Sequence, residues 1–142
     1  MAIVHKITQP VVNHPNADRL SIVTLGDVQA IANKRDDGIP RYTEGDYVVY
    51  IQDGSLLPEW LLKQLDMWDY AANKGALAGP LGNRVKASKV RGVISMGVML
   101  PVDEDVDPLS GCIELSLTTP IGRYLVTEKH DVTDILGIRR AT

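Results

Sequence analysis

The feature that most constrains the fold is the segment Tyr47–Ile51, which is the densest run of β-branched and aromatic residues in the chain. Such residues favour extended backbone, because a pleated strand accommodates side chains that are bulky close to the main chain. The turn-forming sequence Glu44-Gly45-Asp46 comes directly before it. The segment therefore predicts a strand at the centre of a β-sheet.

Other segments with alternating or β-branched residues predict further strands before and after this one. Clusters of turn-forming residues, such as those at 13–18, separate them. The predicted strands are Ile3–Thr8, Leu20–Leu25, Val28–Ala32, Arg84–Arg91, Ile94–Leu100 and Arg123–Thr127. Residues 103–108 predict an acidic loop, and the glycine-rich residues 69–83 are not assigned to an element.

One helix is predicted, over Pro58–Trp68. Leucine and tryptophan residues recur there at helical spacing, Ser55 is the candidate N-cap, and proline occupies the first turn. A single capped helical turn is predicted over Asp131–Gly137. Five or more short strands, with one helix between the third and the fourth, predict a mainly β fold, an OB-fold-like five-stranded Greek-key barrel.

Composition places the chain among ordinary single soluble domains. It has 142 residues, of which 44% are hydrophobic. The single cysteine, Cys112, cannot form an intramolecular disulfide, and the three histidines do not accompany it at zinc-site spacing. The longest uncharged apolar run, residues 92–102, is interrupted by glycine and proline. We therefore expect a cytoplasmic protein with no metal site and no membrane span.

The sequence predicts no catalytic residue. Nucleotidyl transfer requires a lysine nucleophile, and the nearest approach to its Lys-x-Asp-Gly setting is Arg35-Asp36-Asp37-Gly38. Arginine stays protonated in proteins, so this segment is interpreted as a surface turn. Phosphate-binding glycine loops are also absent from the sequence.

The segment 84–91 contains four cations and no acid, whereas the whole chain has a net charge of −3. In a continuous strand, Arg84 and Lys86 would share one face, and Lys89 and Arg91 the other. Such a strand suits contact with a phosphate backbone, and the alternative is a solvated edge strand protected by charge. Phenylalanine is absent and most of the other aromatic residues occupy core-like positions, so contact with the backbone is expected in preference to base stacking.

Two separated segments resemble the paired signature of tRNA-binding OB domains, which occur in some tRNA synthetases and in free-standing tRNA-binding proteins. They are His14–Leu20 and Lys89–Leu100. The segments Glu44–Tyr50, Ser55–Pro58 and Asp131–Ile138 are similar to the N-terminal OB module of ATP-dependent RNA ligases. His14 itself is interpreted as a side chain that fixes its turn and not as a ligand.

The ligase resemblance implies two regions, an OB-fold nucleic-acid-binding domain over residues 1–130 and a short helical lead over residues 131–142. That lead would point toward a nucleotidyltransferase domain, present in cis or in trans, that carries the adenylated lysine. ATP and magnesium are expected for that domain and not for this chain, which is expected to be inactive alone.

The same resemblance implies that this module holds nicked RNA or an RNA–DNA duplex while a 3′-OH is joined to a 5′-phosphate, as in RNA repair. Under this hypothesis the candidate phosphate contacts are Arg84, Lys86, Lys89 and Arg91, with Ser95 and Arg19 as supporting donors.

Two other hypotheses stay open at this point. A free-standing tRNA or RNA binder is expected to form a homodimer, because a single small OB surface supplies little contact area. A protein-interaction module that has lost nucleic-acid binding would agree with the acidic total and the scarcity of exposed aromatic residues. The sequence does not distinguish nicked duplex, RNA–DNA hybrid and folded RNA as the substrate.

Overall fold

The computed structural model describes residues 1–140. It contains fifteen short strands and one short helix. In chain order they are β1 (Ala2–Lys6), β2 (Val12–Asn13), β3 (Leu20–Leu25), β4 (Val28–Asn33), β5 (Tyr47–Gln52), β6 (Ser55–Leu56), α1 (Glu59–Gln64), β7 (Trp68–Asp69), β8 (Lys74–Gly75), β9 (Ser88–Val90), β10 (Val93–Ser95), β11 (Gly97–Pro101), β12 (Asp103–Val106), β13 (Ile113–Thr119), β14 (Gly122–Val126) and β15 (Arg139–Arg140).

Strand β5 lies in the middle of a three-stranded antiparallel sheet, between β1 and β11. Successive side chains of a strand point to opposite faces, and both faces of β5 are covered. Val48 and Tyr50 belong to one hydrophobic core, whereas Val49 and Ile51 belong to another. The central strand predicted at Tyr47–Ile51 is therefore confirmed.

The first core lies between β5 and the three-stranded sheet of β2, β3 and β4. Its buried members are Ile7, Val23, Leu25, Ala30, Ala32, Tyr42, Val48, Tyr50 and Met99. The two sheets meet where β4 runs beside β10 and β11. There the Ile31 N–H donates to Ser95 Oγ at 3.1 Å, and the Met96 N–H donates to the Gln29 carbonyl at 2.9 Å.

The second core lies on the other face of β5 and includes α1, the sheet β12–β13–β14 and the C-terminal segment. The free edge of β1 is covered by residues 129–132, because the Val4 N–H donates to the His130 carbonyl at 3.0 Å and the Val132 N–H donates to the Ala2 carbonyl at 2.9 Å. Val132 and Leu136 are fully buried. The last part of the chain thus completes the second core.

The strand predicted over Arg84–Arg91 is wrong in its extent, since only Ser88–Val90 is a strand. Val85 is buried, and its backbone is hydrogen-bonded to Ser55 and Gly54 on the turn after β5. These hydrogen bonds hold the first half of the segment against the turn after β5, whereas the second half forms β9. The strand predicted over residues 94–100 is also divided, into β10 and β11.

The acidic loop predicted over residues 103–108 is corrected in the same way, because its first four residues form β12. Strand β12 pairs with β13, which spans residues 113–119 and was not predicted. Pairing overrides the weak strand propensity of aspartate and glutamate here. The last predicted strand, 123–127, corresponds to β14.

The predicted helix 58–68 is too long. Pro58 is the N-cap, without a side-chain hydrogen bond, and the helix ends at Gln64. Asp66 has a φ of 59°, which turns the chain away so that residues 68–69 can form β7. Ser55 does not cap the helix but lies in β6.

The mainly β class is confirmed, but the strands over residues 1–140 form six separate sheets of two or three strands and not one closed barrel.

The helical turn predicted at 131–137 is a hydrogen-bonded turn, in which the Leu136 N–H donates to the Val132 carbonyl at 3.0 Å. It begins with Asp131, and hydrogen bonds from the Thr133 hydroxyl and N–H lower the pKa of its carboxyl. The domain division at residue 130 stays a prediction, and Ala141 and Thr142 lie outside the described residues.

Within residues 1–140, no helix has the length and apolar character needed to cross a membrane.

Replacing Leu136 with alanine tests the contribution of the C-terminal segment to the second core. Because Leu136 is fully buried, Leu136→Ala should lower the free energy of unfolding by about 2–5 kcal/mol. Urea unfolding measures this change. Leu109, which is 97% exposed, provides a matched control, and Leu109→Ala should shift the free energy by less than about 0.5 kcal/mol. Equal effects of the two substitutions would contradict the core assignment.

Candidate nucleic-acid interface

Strands β9 and β10 form a two-stranded hairpin that carries part of the predicted basic surface. Val90 pairs with Val93, so the turn contains only Arg91 and Gly92. Their φ values are 49° and 91°. Positive φ at both positions is the property of type I′ hairpin turns, which favour asparagine or glycine at the first position. An arginine at that position has a conformational cost of roughly 1 kcal/mol.

The tip of this hairpin is fastened to the turn at residues 14–19 by side chains of that turn. The His14 ring places Nε2 at 2.8 Å from the Val90 carbonyl. Asn16 Nδ2 donates to the Arg91 carbonyl at 2.8 Å, and the Arg91 guanidinium donates to the Asn16 carbonyl at 3.3 Å. The two segments that together resemble tRNA-binding OB domains are thus in direct contact.

His14 is only 4% exposed and both of its ring nitrogens are occupied. Nδ1 accepts a hydrogen bond from the Asn16 N–H at 3.0 Å, so this nitrogen carries no proton. Nε2 must then be the donor to the Val90 carbonyl. The ring thus bridges the turn and the hairpin, which confirms the interpretation of His14 as a side chain that fixes its turn.

The base of the hairpin is held against β4 by two polar side chains. The Ser95 hydroxyl accepts the Ile31 N–H and donates to the Gly97 carbonyl at 3.2 Å. Gln29 Nε2 donates to the Ile94 carbonyl at 2.7 Å. The single proton of the Ser95 hydroxyl is therefore used inside the protein, and Ser95 positions the hairpin.

Three of the predicted contacts come together on what we call the hairpin surface, defined as Arg19, Lys34, Lys89, Arg91 and Ile94. Lys89 pairs with Ile94 across the hairpin, and both are exposed. Arg91 is at the tip, and Arg19 is exposed on the turn that receives the tip. Lys34 is joined to the same turn, because its N–H donates to the Arg19 carbonyl at 2.8 Å.

Arg84 lies in a different environment. Leu56 pairs with Arg84 on one side and with Arg139 on the other. Directly paired residues share a face of a sheet, so the two arginines flank the same leucine. Lys86 is exposed on the segment that connects this pair to the hairpin. Of the six predicted residues, four thus belong to the hairpin and the turn beside it, Arg84 lies beside Leu56, and Lys86 lies between these two positions.

Negative charge is concentrated in another part of the chain. Residues 103–128 contain six of the 18 acidic residues and one of the 15 basic residues, which gives that segment a charge of −5. The other residues together carry +2. The net charge of −3 therefore arises from residues 103–128, and the part of the chain that carries the hairpin surface has a positive net charge.

The segment 35–38 is a surface turn, as interpreted from the sequence. Arg35 and Asp37 form an ion pair at 2.8 Å. Hydrogen bonds from the Ile39 N–H and from Arg35 lower the pKa of the Asp37 carboxyl.

Over residues 1–140, no group of three or more histidine, cysteine, aspartate or glutamate side chains could hold a metal ion.

Sequence reasoning missed Asn16, Gln29, Lys34 and Ile94. Their roles depend on contacts between distant segments, which residue type and spacing do not reveal. The resemblance groups residues 14–20 with residues 89–100, and this grouping is the signal in the sequence for the contact between Asn16 and the hairpin.

The fold and the site together define a small, mainly β domain with a basic hairpin fastened to a neighbouring turn. A family model described as an OB-fold domain matches residues 1–102. The chain therefore belongs to the OB-fold domain family. No curated protein matches the sequence.

Solved structures of Naegleria gruberi RNA ligase share this fold. The ligase with PPi is 20% identical, with a TM-score of 0.60, and the match covers 99% of this chain and 35% of that chain. A mutant of the same ligase with ATP and Mn is 19% identical, with a TM-score of 0.62 and coverages of 99% and 35%. The chain thus spans about one third of the length of these ligases, and the resemblance to RNA ligases is confirmed at the level of the fold.

Replacing His14 should loosen the hairpin without unfolding the domain. His14→Ala removes two hydrogen bonds at the hairpin tip, and each contributes about 0.5–1.5 kcal/mol. Amide hydrogen exchange over residues 88–95 should therefore become faster by about 10-fold or more, while exchange in β5 changes little. His130→Ala is a matched control, because the His130 ring makes no hydrogen bond among the described residues. Unchanged protection of the hairpin in His14→Ala would show that the ring does not hold it.

Proposed function

We propose that this chain is the nucleic-acid-binding OB module of an RNA ligase, and that it holds nicked RNA or an RNA–DNA duplex while a lysine-adenylating domain joins the ends. The fold shared with Naegleria gruberi RNA ligase supports the class of protein. The match covers about one third of those chains, so the adenylating domain, in cis or in trans, belongs to the proposal. ATP and magnesium would serve that domain.

One observation carries the nucleic-acid part of the proposal. Arg91 occupies a left-handed position, with a φ of 49°, where asparagine or glycine would be favoured. A residue kept in a costly conformation at an exposed tip suggests a function for its side chain. Lys89 stands beside it on β9, and both are free of ion pairs within the described part of the chain. Such cations are available to phosphate.

The mode of contact follows from the side chains that surround the tip. Arg19 and Lys34 extend the positive charge along the turn that fixes the hairpin. Exposed Ile94 provides an apolar contact, and the hairpin surface contains no aromatic side chain for base stacking. The surface therefore suits recognition of backbone shape and charge more than base identity. Arg84 and Lys86 would extend the same track, and Ser95 would keep the hairpin in position.

Binding to a nicked duplex tests the proposal directly. We expect the chain to bind a labelled duplex with a nick after an RNA 3′-OH more tightly than the intact duplex or a tRNA, with affinity that falls as salt rises. Fluorescence anisotropy at low and moderate salt measures this. Preference for tRNA would favour a free-standing tRNA binder, and absence of binding at low salt would contradict any nucleic-acid function.

The same titration locates the contact surface. If both cations touch phosphate, Lys89→Ala with Arg91→Ala should lower the slope of log K against log salt by about 1.4–1.8, at 0.7–0.9 for each phosphate contact. Arg35→Ala with Lys63→Ala is the matched control, because it removes one arginine and one lysine that are paired with Asp37 and Glu59. Equal slopes in the two double variants would place the contact elsewhere.

The substitution Arg91→Asn separates binding from stability. Asparagine adopts the left-handed conformation more readily, which offsets the loss of the hydrogen bond from the Arg91 guanidinium to the Asn16 carbonyl, so the stability of the hairpin should change by less than about 1 kcal/mol. Binding to the nicked duplex should nevertheless weaken, because one cation is lost. Hydrogen exchange and anisotropy measure the two effects. Loss of both stability and binding would indicate that Arg91 serves only the fold.

A further inference from the structure

The sheet β12–β13–β14 has an open groove of about 630 Å³ that belongs to neither the hairpin surface nor the pair Arg84 and Arg139. The ladder between β13 and β14 begins at Leu115 and Val126. Beyond that point the residues before Leu115 and those after Val126 line the two sides of the groove. The groove is therefore an opening at one end of this sheet.

Part of its lining is apolar and unusually exposed. Val106 is 62% exposed, Ile113 is 55% exposed and Leu125 is 63% exposed. Val106 and Ile113 are paired across β12 and β13, so they form one continuous patch. Contiguous exposed apolar side chains with a polar rim are typical of protein interaction sites.

The rim of the groove is strongly acidic. Asp105, Asp107, Glu114 and Glu128 all line it. Arg123 is the only basic residue between 103 and 128, and it pairs with Asp105 and lies 3.7 Å from Glu114. Asp107 and Glu128 make no ion pair among the residues of the described chain. Hydrogen bonds from the Leu109 N–H and from Ser110 lower the pKa of the Asp107 carboxyl, which keeps it ionised.

We propose that this groove docks a protein partner that presents lysine or arginine side chains around an exposed apolar side chain. The carboxylates of the groove disfavour nucleic acid and favour a cationic surface, while the exposed pair Val106 and Ile113 favours an apolar group from the partner. The inference does not depend on the proposed function, since the groove and the hairpin surface have no residue in common. A module of this kind would bind nucleic acid with one surface and a protein with another.

Labelled peptides of defined composition test this inference with the full chain. One peptide alternates leucine and lysine, a second alternates leucine and glutamate, and a third alternates serine and lysine. We expect the leucine–lysine peptide to bind at least 10-fold more tightly than either of the other two. Only this peptide supplies both apolar groups for Val106 and Ile113 and cations for the carboxylates of the groove. Equal binding of the leucine–lysine and serine–lysine peptides would overturn the apolar part of the inference.

Two variants place the peptide in the groove. Asp107→Asn with Glu128→Gln removes the two unmatched carboxylates and should weaken binding of the leucine–lysine peptide by about three- to tenfold. Asp27→Asn with Glu44→Gln makes the same change in charge on exposed residues outside the groove and should have little effect. Ile113→Ser should remove the preference for leucine over serine. Peptide binding that is equal in the groove and control double variants overturns the proposal.

The same variants test two other possible occupants of the groove, nucleic acid and a second copy of the chain. The groove variants should bind the nicked duplex as the natural sequence does, and a loss of duplex binding would mean that the groove contacts nucleic acid instead. Sedimentation should show no change of oligomeric state in Ile113→Ser. A dimer that dissociates in this variant would identify a second copy of the chain as the occupant and overturn the proposal.

Discussion

Burial of strand β5 on both faces is the constraint on which the rest of the structure depends. A strand that is buried on both faces needs a packed layer against each face. Different segments of the chain form the two layers. Strands β2, β3 and β4 cover Val48 and Tyr50, whereas α1, the C-terminal sheet and the segment after it cover Val49 and Ile51. Gly97 permits this arrangement, because a Cβ there would lie 2.3 Å from the Ile51 carbonyl oxygen on β5. The domain is therefore built outward from one central strand.

The domain formed in this way carries the cations of the hairpin surface and the acidic residues of segment 103–128 in different parts of the fold. The hairpin is held by hydrogen bonds from His14, Asn16, Gln29 and Ser95, so the backbone that carries its cations is positioned before any ligand binds. Preorganised contacts lose less conformational entropy on binding. The segment 103–128, which includes β12 and β13, carries a charge of −5 and has no residue in the hairpin surface. The hairpin surface and the most acidic segment of this small domain are therefore separate parts of the fold.

The sequence predicted β5 because five consecutive β-branched or aromatic residues strongly favour an extended backbone. It did not predict β12, since Asp103 and Glu104 have low strand propensity and are held in place by pairing with β13. It extended the basic strand back to Arg84, because nothing in a row of alternating cations shows that Val85 is anchored in the core. Four cations were correctly recognised as exposed, but their division between the hairpin and Leu56 depends on long-range pairing.

The two cores differ in how much of the chain each needs. All buried members of the first core lie between Ile7 and Met99, whereas the second core extends from Ala2 to Ile138. During synthesis the first core can therefore close about 40 residues before the second, since chains are made from the N-terminus. Until the ribosome releases Val132, the edge of β1 stays uncovered and can pair with another chain. The order of emergence makes this interval the time at which the nascent chain is most exposed to aggregation.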